Sequence, residues 1–170
     1  MISTRQELRS RPQLPRTRPG GGKIPSILIV DDHAFIRRGI RGLLSDMTDW
    51  KVSGEADNGD EAIRLARTLK PDVVLLDVNM PGMSGLEVAK TIRDSGSSAK
   101  ILLLTLHDSE ELIRNAFKLG INGYLLKTDA EGELVRALRV VLGDGVYLSP
   151  KLDPEFVKCI VASITSSASK

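Results

Sequence analysis

Four short apolar runs, ILIV over 27–30, VVLL over 73–76, ILLL over 101–104 and YLL over 124–126, each end on a residue that carries chemistry. The first ends on Asp31 and Asp32, the second on Asp77, the third on Thr105 and the fourth on Lys127. Continuous branched aliphatics without polar alternation read as strands buried on both faces, the pattern of a parallel sheet. The carboxyl ends of such strands lie along one edge, where open α/β sheets place ligands. Three carboxylates, a hydroxyl and an ammonium then share one pocket. Acid oxygens suit a hard divalent cation, and lysine and threonine suit the oxygens of a phosphoryl group.

Between these runs the periodicity changes to that of helices. Ile36, Ile40, Leu43, Leu44 and Met47 recur at three and four over 33–47, and Ala62, Ile63, Ala66 and Leu69 over 59–70, where Pro71 stops the helix. Leu86, Ala89 and Ile92 mark a helix over 84–94. Asp108 or Ser109 opens another over 108–119 that Gly120 ends, and Leu134, Leu138, Val141 and Leu142 mark one over 130–142. With a short strand over 51–54 and strands over 26–31, 72–77, 100–105 and 121–126, five βα units result. Right-handed crossovers then predict a flavodoxin-like five-stranded parallel sheet in the order 2-1-3-4-5, with helices on both faces.

The 170 residues suit one domain, and the formal charge of +2 is unevenly placed. Six basic residues (Arg5, Arg9, Arg11, Arg16, Arg18, Lys23) against Glu7 give residues 1–24 a net +5 and leave the remainder at −3. A mildly acidic body does not look like a nucleic-acid surface. Residues 1–24, with Pro12, Pro15, Pro19 and the Gly20–Gly22 run, read as a disordered basic leader rather than a serine-rich transit peptide. One cysteine, Cys159, excludes an internal disulfide, and no apolar stretch is long enough to cross a bilayer, so a cytoplasmic protein without membrane contact is expected. Residues 25–143 form the expected domain, and 144–170 read as a linker and a short helix over 154–164 in which Asp153 caps and Pro154 opens.

Adjacent acids after a strand, such as Asp31 and Asp32, are often only a solvated turn or a helix cap. Asp77 adds a third acid to the same edge, where mutual repulsion calls for a cation, and Mg²⁺ fits because it accepts one or two carboxylates and keeps its water. A metal-held carboxylate can act as nucleophile toward phosphorus and form an acyl phosphate. Tyr124, three residues before Lys127, reads either as packing or as a ring that moves when Thr105 moves.

Taken together, Asp31-Asp32, Asp77 with Met80-Pro81 and Gly85-Leu86-Glu87, Thr105, and Tyr124-Leu125-Leu126-Lys127 resemble the receiver domain of bacterial two-component response regulators. GYLLK over 123–127 and GVYLSPKL over 145–152 look most like receivers that precede a LuxR-type helix-turn-helix. The resemblance implies that Asp77 accepts phosphate from a sensor histidine kinase. It implies that Mg²⁺ is held by Asp32, Asp77 and the backbone carbonyl of Asn79, with Asp31 acting through water. Thr105 and Lys127 would bind the phosphoryl oxygens, and Tyr124 would report on the face of the fourth and fifth helices and fifth strand, for a second copy or a downstream protein to read. The sequence departs from the family pattern at Thr128, where proline is common, and at Leu106, where a small residue is frequent.

A phosphoacceptor switch rather than an enzyme is therefore expected. The alternative is a shortened LuxR-type transcription regulator whose helix-turn-helix lies outside this chain, and specific DNA binding by the chain alone is not expected. A haloacid-dehalogenase-type phosphatase would want an aspartate where Asn79 stands. A nucleotide binder would want glycines, not acids, in the first βα turn.

Overall fold

The computed structural model describes residues 23–167. The basic leader, but for its last two residues, and the extreme C-terminus lie outside them. Its elements are β1 (Ser26–Val30), α1 (Ala34–Ser45), β2 (Lys51–Ala56), α2 (Gly59–Leu69), β3 (Val73–Asp77), α3 (Gly85–Asp94), β4 (Lys100–Thr105), α4 (Glu110–Lys118), β5 (Gly123–Leu126), a 3₁₀ turn (Lys127–Asp129), α5 (Ala130–Leu142), β6 (Tyr147–Leu148) and α6 (Pro154–Ser167). All strand pairs are parallel, and the order is β2-β1-β3-β4-β5-β6.

The sheet therefore has six strands, not the expected five. Residues 145–150 read as linker because a two-residue strand shows no periodicity, yet Gly123 pairs with Tyr147 and Tyr124 with Leu148. Glycine at 123 permits this approach, since a Cβ there would meet Leu102 Cδ1 at 2.6 Å and Tyr147 Cβ at 3.3 Å. β2 is longer than the apolar pattern suggests, and its register to β1 shifts between Ile27 and Leu28, where Ser53 Oγ donates to the Ile27 carbonyl at 3.1 Å.

Alternation along each buried strand divides the core into two layers. Leu28, Val30, Val74, Leu76, Ile101 and Leu103 face one side with α2, α3, α4 and α6, while Ile27, Ile29, Val73, Leu75, Leu102 and Leu104 face the other with α1 and α5. Helix starts follow local chemistry. Asn58 accepts from the Glu61 amide at 2.9 Å, and Ser84 and Glu87 form a reciprocal capping box that sets where the chain leaves β3 and enters α3. At α4, Ser109 occupies the cap position without a side-chain bond, and Gly120, at φ +77°, follows the helix.

Candidate functional site

All four strand-end groups meet at one edge. Asp31, Asp77 and Thr105 are buried, Asp32 is partly exposed, and Lys127 is largely covered. The Lys127 ammonium lies 2.7 Å from Asp31 Oδ2 and 3.0 Å from Asp77 Oδ2, bridging strands β1 and β3 from the end of β5. The repulsion expected among the acids is thus partly relieved by the chain's own cation. Burial pushes the Asp77 carboxyl above its usual range, against the pull of Lys127. Burial would lower Lys127, but its bonds to Asp31 and Asp77 outweigh this and hold the ammonium above its usual range.

The backbone around Asp77 is tightly constrained. Asp77 Oδ1 accepts from the Asn79 amide at 3.2 Å, and the Gly85 amide donates to the Val78 carbonyl at 2.9 Å. A Cβ on Gly85 would stand 2.1 Å from the Asp77 carbonyl oxygen, so only glycine allows α3 to start this close to the site.

One oxygen each from Asp31, Asp32 and Asp77 and a ring nitrogen of His33 lie within 4.8 Å of one another. Asp32 Oδ1 and Asp77 Oδ2 are buried oxygens without a directed hydrogen bond, beyond the ring nitrogen of His33 at 2.9 Å and the ammonium at 3.0 Å. Buried acceptors of this kind suit a hard cation.

Thr105 Oγ1 accepts from the His107 amide at 3.1 Å, and the Tyr124 hydroxyl donates to the His107 carbonyl at 2.8 Å. Tyr124 is fully buried, and burial pushes its phenol up to about 12, with Thr105 opposing and Asp108 assisting. Leu106, the large residue after Thr105, is 68% exposed, so most of it faces solvent.

Three residues escaped the sequence reading. The His33 amide donates to Asp31 Oδ1 at 2.8 Å, and Arg37 Nη1 donates to the Asp31 carbonyl at 2.6 Å while Nε reaches Glu55 Oε2 at 3.4 Å. His107 Nε2 lies 2.6 Å from Asn79 Nδ2. His33 and His107 stand next to or two residues from a strand-end group, a signal that was available, whereas Arg37 reads from its spacing as a solvated helix position.

A family model for the response regulator receiver domain matches residues 27–139. The chain is 41% identical over 129 residues to the nitrate/nitrite response regulator protein NarL of Escherichia coli, covering 76% of this chain and 60% of that protein. It is 38% identical over 126 residues to the response regulator GacA of Pseudomonas viridiflava, covering 74% of this chain and 59% of the relative. The chain thus spans about three fifths of the length of these curated relatives. A crystal structure of a LuxR-family two-component response regulator from Aurantimonas superposes with a TM-score of 0.75 at 34% identity, covering 82% of this chain and 99% of that one. The receiver domain of a NarL response regulator from Mycobacterium tuberculosis superposes with a TM-score of 0.68 at 34% identity, covering 72% and 98%.

Proposed function

This chain belongs to the response regulator receiver family of two-component systems, and from that premise we propose that Asp77 is its phosphoacceptor and that a sensor histidine kinase is the donor. The observation that carries this is the Asp77 carboxylate, buried at the end of a central strand between Lys127 and the Asp31–Asp32 pair. An Asp77 oxygen forms a bond to phosphorus as the bond from phosphorus to the donor's imidazole nitrogen breaks, and the imidazole leaves. The side chain then changes from a monoanion to an acyl phosphate with one more negative charge. Lys127 is placed to follow that charge, since it already touches Asp77, and its raised affinity for a proton keeps it cationic. Thr105 accepts from His107 here, and on turning toward the phosphoryl group it would donate its hydroxyl proton to a phosphoryl oxygen.

Receiver domains bind Mg²⁺ at an acidic pocket, and the clustered carboxylate oxygens of Asp31, Asp32 and Asp77 fit it. Asp32, Asp77 and the Asn79 carbonyl would hold the ion, with Asp31 through water, and when bound it would neutralise phosphoryl oxygen charge. The protein is a signalling switch. Residues 25–143 are the switching unit, and a DNA-reading module outside these 170 residues is a second reading, favoured by the greater length of the relatives. No helix of the described residues is long and apolar enough to cross a membrane, which accords with a cytoplasmic location.

Acetyl phosphate with Mg²⁺ should add one phosphoryl mass to the intact chain, and Asp77→Asn should remove the addition. Labelling of that variant at the wild-type rate would overturn the assignment.

A further inference from the structure

Beyond α5 the chain returns to the sheet beside β5 and packs against α4. The Ser149 amide donates to the Tyr124 carbonyl at 3.0 Å, and Ser149 Oγ accepts from the Leu126 amide at 2.7 Å. Lys151 pairs with the Asp129 carboxylate at 2.5 Å. Asp153 Oδ1 caps α6 by accepting from the Phe156 amide at 2.8 Å. Leu152, Phe156 and Ile160 are then buried in one cluster with Ile113 and Ala116 of α4 and Tyr124 and Leu126 of β5. Arg114 of α4 stacks on Phe156, its guanidinium 4.9 Å from the ring centroid.

Tyr124 therefore touches both systems. Its hydroxyl holds the loop that hangs on Thr105, its backbone holds the C-terminal segment through Ser149, and its ring lies in the buried cluster that contains Phe156 and Ile160. We propose that residues 147–164 form an intramolecular strap over the α4–β5 face, and that phosphorylation of Asp77 releases α6 from that face through Thr105, His107 and Tyr124. The proposal rests on the phosphoacceptor reading.

The steps follow from the bonds. When Thr105 Oγ1 turns to a phosphoryl oxygen, the His107 amide loses its acceptor and the loop over 106–109 shifts. The His107 carbonyl then leaves the Tyr124 hydroxyl, and a buried phenol without an acceptor is unfavourable, so the ring re-seats. That ring is packed in the cluster that seats Phe156 and Ile160, and its movement withdraws contact from α6. Release uncovers Ile113, Ala116 and Leu126. An output partner can reach this surface only after the strap has moved.

Hydrogen exchange on the full chain, with and without Mg²⁺ and beryllofluoride, tests this. Protection across 154–164 should fall about tenfold with beryllofluoride, the effect of losing roughly one buried hydrogen bond, while 51–69 stays unchanged. Tyr124→Phe keeps the ring but not the hydroxyl, so exchange near 77–79 should still respond while 154–164 does not. Phe156→Ala should exchange rapidly over 154–164 without any beryllofluoride. A response over 105–127 with unchanged protection of α6 in the wild-type chain would overturn the strap alone. No response at either 77–79 or 105–127 would overturn the phosphoacceptor reading and the strap with it.

Discussion

Glycines at two positions illustrate how a single residue decides the site. At Gly85 the missing Cβ makes room for the Asp77 carbonyl, so Gly85→Ala should destabilise the fold by about 2 kcal/mol or more, read as a lower thermal midpoint, and should slow labelling of Asp77. Gly39 lies exposed inside α1 with nothing within 4 Å of its missing Cβ, so Gly39→Ala should stabilise by about 0.5–1 kcal/mol. Lys127 is the second determinant. Removing it leaves two buried carboxylates without their cation, and Lys127→Ala should cost about 3 kcal/mol at neutral pH, part of which Mg²⁺ restores. Denaturant titration with and without Mg²⁺ checks both statements. Asp32→Ala, by contrast, should leave the fold in place and weaken Mg²⁺ binding at least about tenfold by calorimetric titration.

Among the elements, β6 and α6 change the expected picture most. Ile113 and Phe117, spaced four apart on α4, form no open strip, since Ile113 is fully buried and Phe117 is packed against the same core. The strap is anchored in part by Asp129. Burial raises its carboxyl, but Lys151 and Ser149 outweigh this and hold it below its ordinary range. A depressed folded-state value means stability that is present above the unfolded value and lost as pH falls through the folded one. Wild type should therefore exceed Lys151→Ala in unfolding free energy by a constant margin from about pH 5 to pH 8, and the margin should shrink below about pH 4. A margin independent of pH down to full acid unfolding would show that Lys151 contributes through packing alone.

At the scale of the molecule, charge and coverage bear on partners. Residues 25–170 carry −3 against the +5 of the leader, and all six helices of the described residues lie against the sheet layers. The chain alone should bind duplex DNA weakly, in a manner that falls steeply with salt and ignores sequence. Fluorescence anisotropy with one duplex against scrambled competitors at physiological salt checks this. Selective binding would favour a reader within the chain.

The amino-acid sequence by itself determined the βα alternation, the central strands and the meeting of Asp31, Asp32, Asp77, Thr105 and Lys127, because buried parallel strands announce themselves as unbroken apolar runs and topology brings their ends together. Gly85 was visible as part of a motif, but the reason for it, a carbonyl 2.1 Å from where a Cβ would lie, exists only in three dimensions. The sixth strand was invisible because two residues carry no period, and its pairing depends on the space beside Gly123. Which cation faces the acids, and that Tyr124 joins the phosphate edge to α6, were likewise decided by tertiary structure. Such contacts link residues as far as 23 and 96 positions apart, and local pattern holds no record of them.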